Sequence, residues 1–177
     1  TTDVEIEVNG WLTYDRAVWK IDPSRAKAAA AGLYLPPPKT QVLVPRAGQS
    51  GDQTWRWTTT SPGKDWMLAG YNDSAWRSGA GGFGTRQTPG ARVGTEWNSG
   101  EIWLRRKVSV PKGAARPMLS VHHDEDAQIF INGELAAGLS GYTTSYRMIE
   151  MSEKAAALVR AGGELQIAVH CKQTMGG

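Results

Sequence analysis

"LSVHHDEDAQIFINGELAAG", residues 119–138, decides how this chain is read. Two apolar runs of strand length flank Asn132-Gly133, a dipeptide that supplies the positive φ values of a tight hairpin turn. Leu119 and Val121 alternate with Ser120 and His122 in the run before them, as a half-buried strand requires. Working outward, strand-like segments recur at "EIWLRRKVSV" (101–110), "YRMIEMS" (146–152) and "GELQIAVHCKQ" (163–173). "QTWRWTTT" (53–60) alternates in the same way. Between the last two segments, "SEKAAALVRAGG" (152–163) predicts a short helix with Ser152 at its cap and a Gly-Gly stop. Many short strands, polar turns and one short helix predict an all-β sandwich.

Composition agrees. The chain has 177 residues, enough for one domain with an appendage, and its 21 Gly and 9 Pro favour turns over helical bundles. The formal net charge is +3, but the basic residues are scattered, and the densest group, Arg105-Arg106-Lys107, lies inside a strand-like run. Neither a basic stripe nor a recognisable module marks a nucleic-acid partner. No apolar stretch approaches the ~18 residues of a membrane span, so no membrane partner is expected. Cys171, the one cysteine, falls on the apolar parity of its strand with Leu165, Ile167 and Val169, the place of a buried structural thiol. Eight tryptophans suit either a large core or a surface that stacks on sugar rings.

The N-terminal part has a different texture. "TTDVEIEVNGWLTYDR" (1–16) carries no basic, apolar leader and reads as the continuation of a longer chain. Val4 to Val8 alternate as a short strand before the Asn9-Gly10 turn, and Arg25 to Ala31 predict a two-turn helix stopped by Gly32. Pro36-Pro37-Pro38 then enforce an extended spacer. The expected organisation is therefore an irregular and helical appendage over 1–35, a linker over 36–52 and a sandwich over 53–177. Residues 62–100, rich in Gly and Trp and without a period, are expected to form a long functional loop.

The order "YNDSAW" (71–76), "IWLRRKVSVP" (102–111), "LSVHHDEDAQIFINGELAAGLSGY" (119–142) and "AGGELQIAVH" (161–170) resembles the galactose-binding-like jelly-roll domain of family-two glycoside hydrolases, the β-galactosidase and β-glucuronidase group. The resemblance covers residues 53–175, with Glu164 standing where that family usually has Asn. The opening stretch is similar to the segment that follows the last strand of the catalytic (β/α)₈ barrel in bacterial members, through Asp3, Glu5, Glu7, Asn9-Gly10, Thr13 and Tyr14-Asp15-Arg16. This implies a C-terminal piece of such an enzyme, a jelly-roll β-sandwich behind the tail of a barrel whose two catalytic glutamates lie upstream. It implies as partners a carbohydrate, oligo- or polysaccharide, and that barrel. The parent enzyme would be bacterial and secreted or periplasmic. No cofactor is implied beyond a structural calcium, for which Asp73 and Asp124 are the candidate ligands.

The residues themselves suggest where a sugar would bind. Strand parity puts Trp103, Arg105 and Lys107 on the polar face of 101–110, His122 and Asp124 on that of 118–124, and His170 on that of 165–172. If these strands share a sheet, one face collects Trp103, Arg105, His122, Asp124 and His170: a stacking plane, a bidentate donor, imidazoles and a carboxylate. The same parity turns Arg106 inward, which requires either a bulge or a partner inside. Trp97, in the Gly-rich loop, is expected to be an exposed stacking platform, with Tyr142 and Tyr146 next. The bland alternative is that this face packs on itself or on a neighbouring domain. Glycoside hydrolysis needs two carboxylates about 5–10 Å apart. The acids of "HHDED" (122–126) are contiguous and no second carboxylate is placed to serve them, so this chain by itself is expected to be non-catalytic. Adjacent histidines on a strand point to opposite faces, which also argues against a zinc site in that cluster.

Overall fold

The computed structural model describes residues 6–8, 11–13, 40–51, 53–87, 90 and 92–174. The chain divides into two compact units, Thr1–Gln41 and Val42–Gly177. In the first, β1 (Ile6–Val8) pairs antiparallel with β2 (Trp11–Thr13), with Val8 opposite Trp11, as a two-stranded sheet of its own. The helix expected over 25–31 lies outside the described residues.

The second unit is mostly strand, in a sandwich-like arrangement. Its described strands are β3 (Thr54–Thr58), β4 (Arg77–Ala80), β5 (Phe83–Gly84), β6 (Thr95–Glu96), β7 (Glu101–Val110), β8 (Met118–Val121), β9 (Asp126–Ile131), β10 (Glu134–Leu139), β11 (Arg147–Glu150) and β12 (Gly163–Lys172). One helix, α1 (Glu153–Ala161), precedes the last strand. Six strands make the main antiparallel sheet in the order β10-β9-β12-β7-β3-β4. β8 pairs with β11, and β5 runs parallel to β6.

Local chemistry explains the elements. Asn132 (φ 50°) and Gly133 (φ 89°) turn β9 into β10, as their residue types demand. The Ser152 hydroxyl accepts the Ala155 N–H, and Gly162 (φ 72°) ends the helix with its N–H on the Leu158 and Val159 carbonyls. A Cβ on Gly162 would stand 2.7 Å from the Lys112 backbone, so glycine is required twice over. Along β7 and β12 the register runs unbroken from Glu101↔Lys172 to Val110↔Gly163. Apolar parity therefore holds along both strands. Val110, Leu165, Ile129 and Ile131 pack under α1 (Ala155, Val159) and β8 (Leu119, Val121) as the main core. At the far end of the same face, Trp97, Ile102, Ala127 and Cys171 form a second cluster with Trp57 and Phe83.

The stretch 62–100 departs from the expectation of one long loop. It contains β4, β5 and β6. Glycine-rich segments such as Gly79 and Gly81-Gly82 carry little strand propensity, and β4 forms because β3 offers it a ladder. Propensity was overridden by pairing.

Candidate functional site

The polar face of the main sheet is built as its parity predicts, but the chain covers much of it with its own residues. Trp66, Trp103 and Ala168 are buried together, with Met67, Tyr71, Trp76 and Phe130 packed on them. The Trp66 ring meets Phe130 edge-on at 5.7 Å. Trp103 is 8% exposed and stacks on His170, centroids 4.6 Å apart and planes within 8°. The other side of that imidazole is tethered, with Nε2 2.8 Å from Glu101 Oε2.

Arg105 is the centre of this arrangement. It is 1% exposed, and the segment 66–73 wraps its guanidinium in oxygen. Nε donates to Asp73 Oδ2 at 2.7 Å, Nη1 to the carbonyls of Trp66 and of Leu68 (3.0 Å), and Nη2 to the Tyr71 carbonyl (3.4 Å) and Gln166 Oε1 (3.1 Å). A buried charge needs such a complete set of partners. Carbonyls and a carboxylate are also the donors calcium takes. Here the guanidinium is the cation those oxygens surround, and Asp73 is its ion-pair partner. Among the described residues no group of three or more His, Cys, Asp or Glu side chains is placed to hold a metal ion.

The expected constellation does not assemble as one site. β8 belongs to the β11 pair and not to the main sheet, so His122 and Asp124 do not join Trp103, Arg105 and His170 as neighbours on one sheet face. His122 instead sits 5.5 Å from the Tyr146 ring, over which Arg46 lies at 3.9 Å. The Asp124 carbonyl accepts the Cys171 thiol at 3.2 Å. Burial pushes the Asp124 carboxyl above its ordinary range, and the Glu125 charge adds to the effect. His122, the Glu125 backbone N–H and His123 pull the other way.

Trp97 is not an exposed platform. It is 5% exposed within the second core cluster, and its indole N–H donates to Ser99 Oγ at 2.9 Å. Strand β6 carries it inward, a placement that the aperiodic loop sequence did not reveal. Tyr142 is 72% exposed and is the one candidate aromatic left open to solvent. The Cys171 thiol is pushed up to about 11 by burial, which makes it a poor nucleophile and fits a structural role. Arg106 keeps its inward parity without a bulge. Its Nη1 donates to the Pro45 carbonyl at 3.3 Å, and its guanidinium lies 5.8 Å from the Trp55 ring centroid.

The described residues also form open concavities. A shallow hollow of about 350 Å³ is lined by Asp126, Gln128, Gly138, Ser140, His170 and Lys172. A larger cleft of about 530 Å³ opens at the edge of β7, beside Trp55, Arg56 and Arg106. His170 is an expected site residue, whereas Trp55, Arg56 and Arg106 are not among the residues singled out from the sequence. Parity does turn Arg56 to the same side as Arg105, but only the pairing of β3 with β7 makes them neighbours.

No protein-family model matches the chain, and no curated protein matches it. Solved glycoside hydrolases do. A β-glycosidase from Bacteroides vulgatus is 19% identical over 69% of this chain and 16% of that one, with a TM-score of 0.46. A Bacteroides uniformis β-glucuronidase is 18% identical over 72% and 14%, with a TM-score of 0.47. A Faecalibacterium prausnitzii β-glucuronidase is 21% identical over 76% and 22%, again with a TM-score of 0.47. The chain spans less than a quarter of the length of each, so the functional reading rests on its own residues.

Proposed function

We propose that the chain is a non-catalytic accessory domain of a glycoside hydrolase, a galactose-binding-like jelly roll preceded by the tail of the catalytic barrel. Its tryptophans and Arg105 serve first to hold its own fold. The order of motifs from "YNDSAW" to "AGGELQIAVH" supports the family reading. One observation carries the structural role: Trp97, Trp103 and Arg105, the expected sugar platform, are all buried against the chain's own residues. A stacking platform must present a face to its ligand, and these do not. The domain's work is then to cover and support the upstream barrel. The test is turnover of a panel of nitrophenyl glycosides by the purified chain. None is expected, and measurable hydrolysis lost on Asp124→Ala would overturn the reading.

A second reading is kept because of the hollow beside His170. Gln128, Lys172 and Asp126 offer directional bonds there, and Gly138 leaves room for a ring. In this reading the domain binds a neutral oligosaccharide with a dissociation constant on the order of 0.1–1 mM. Calorimetric titration of an oligosaccharide panel, with Gln128→Ala abolishing the heat, is the expected result. Silence from every member of the panel would sink it.

A further inference from the structure

The cleft at the edge of β7 is created by a divergence of strands. β3 pairs with β7 over Arg56↔Arg105, Trp57↔Leu104 and Thr58↔Trp103, while β7 runs on to Val110 with β12 alone beside it. Before Arg56, β3 stays with β4 instead, through Trp55↔Gly79 and Thr54↔Ala80. The gap is lined by Lys107, Val108 and Ser109 together with Leu43, Val44 and Pro45. Its volume of about 530 Å³ lies in the ~300–1,000 Å³ range of small-ligand sites.

The lining is strongly one-signed. Among the described residues of the lining, Arg56, Arg105, Arg106 and Lys107 meet one carboxylate, Asp73, which is already bound to Arg105. Lys107 faces Glu164 at 3.8 Å across an exposed pair, which solvent makes weak. Arg56 Nη1 donates to the Trp76 carbonyl and Arg106 Nη1 to the Pro45 carbonyl, both at 3.3 Å. Like charges gathered in a concave wall raise the local concentration of an anion and reward its entry. Guanidinium forks match a carboxylate in particular. Trp55 adds an indole beside Arg106, the flat apolar element that a sugar ring uses.

We propose that this cleft binds a carboxylate-bearing, uronate-type oligosaccharide, with Arg56 and Lys107, which leave the same face of β3 and β7, receiving the acid group and Trp55 lining the other side of the open strand edge along the sugar. The saccharide half of the proposal rests on the reading of the chain as part of a carbohydrate-active protein. The anionic half rests on the cleft alone.

The experiment is calorimetric titration of the whole chain with a tri-uronate, its carboxyl-reduced neutral counterpart and inorganic sulfate. Arg56→Gln, Lys107→Gln and, as a control on the exposed face of α1, Lys154→Gln are titrated in parallel, with thermal melts to check folding. Binding of the tri-uronate but not of the neutral sugar, weakened about tenfold by Arg56→Gln or Lys107→Gln and unchanged by Lys154→Gln, is the expected result. The affinity should also fall as salt is raised from about 50 to 300 mM. If sulfate binds as tightly as the tri-uronate, the saccharide half is wrong and the proposal falls. If acidic and neutral sugars bind alike and only Gln128→Ala removes them, the cleft proposal falls while the hollow is upheld. Binding by none of the three probes overturns the cleft and leaves the structural reading of the domain standing.

Discussion

Removing the Asp73 carboxylate is the sharpest test of how the polar face is held. Asp73→Ala leaves the Arg105 guanidinium buried with its charge-assisted partner gone from 2.7 Å. Breaking a buried ion pair from one side costs about 3–5 kcal/mol when nothing replaces the lost partner. Two features of this structure lower that figure. The Asp73 side chain is 26% exposed, so water reaches the vacated position, and Arg105 keeps the Leu68, Tyr71 and Trp66 carbonyls and Gln166. A loss of about 2–3 kcal/mol is therefore expected, which for a chain of this size lowers Tm by roughly 5–10 °C. Urea unfolding followed by tryptophan fluorescence measures it, with an unchanged m value showing that stability alone has moved. Arg105→Met should cost more than Asp73→Ala, because it strands the Trp66, Leu68 and Tyr71 carbonyls and the Gln166 side chain together. A change under about 0.5 kcal/mol in Asp73→Ala would refute the reasoning and assign the segment 66–73 to tryptophan packing instead.

Trp97→Ala and Trp103→Ala should each cost about 3–5 kcal/mol in the same urea assay, as buried aromatics do, and a surface-like cost under about 1 kcal/mol would restore the stacking-platform reading. Cys171 should resist an aromatic disulfide reagent at about pH 8 in the folded chain and react at once in denaturant, given a thiol raised to about 11; fast labelling without unfolding would contradict its burial. For Asp124 the sign follows from linkage. A folded carboxyl raised above its ordinary 3.8 holds its proton more tightly than the unfolded one, so its contribution to stability falls as pH rises through the window starting at 3.8. Asp124→Asn should therefore gain on the wild type above that window and lose the advantage below it, and melts from pH 3 to 7 that run parallel would show the carboxyl to be unperturbed.

Period-two alternation, the Asn132-Gly133 turn and the Ser152 cap made β7, β9, β10, β12 and α1 legible in the sequence, because each depends on neighbours a few residues away. The inward parity of Leu165, Ile167, Val169 and Cys171 followed from the same local rule, as did the outward parity of Trp103, Arg105 and His170. Which strands lie side by side was not legible. Nothing in residues 118–124 announces that β8 pairs with β11, so His122 and Asp124 were grouped with residues on another sheet. The fate of the polar face was equally hidden, since outward parity says only which way a side chain leaves its strand. Whether it then meets water or protein depends on where a distant segment folds. Residues 66–73 close over Arg105 because a buried guanidinium and a set of backbone carbonyls satisfy each other, and that bargain is struck across more than thirty residues of chain. In the same way Trp97 is drawn inward by the β5–β6 pairing, and the cationic cleft exists because the β3–β7 pairing stops at Arg56↔Arg105. Local sequence determined the elements and the faces of their side chains; long-range pairing, with the burial it enforces, decided which of those faces remained open to a ligand.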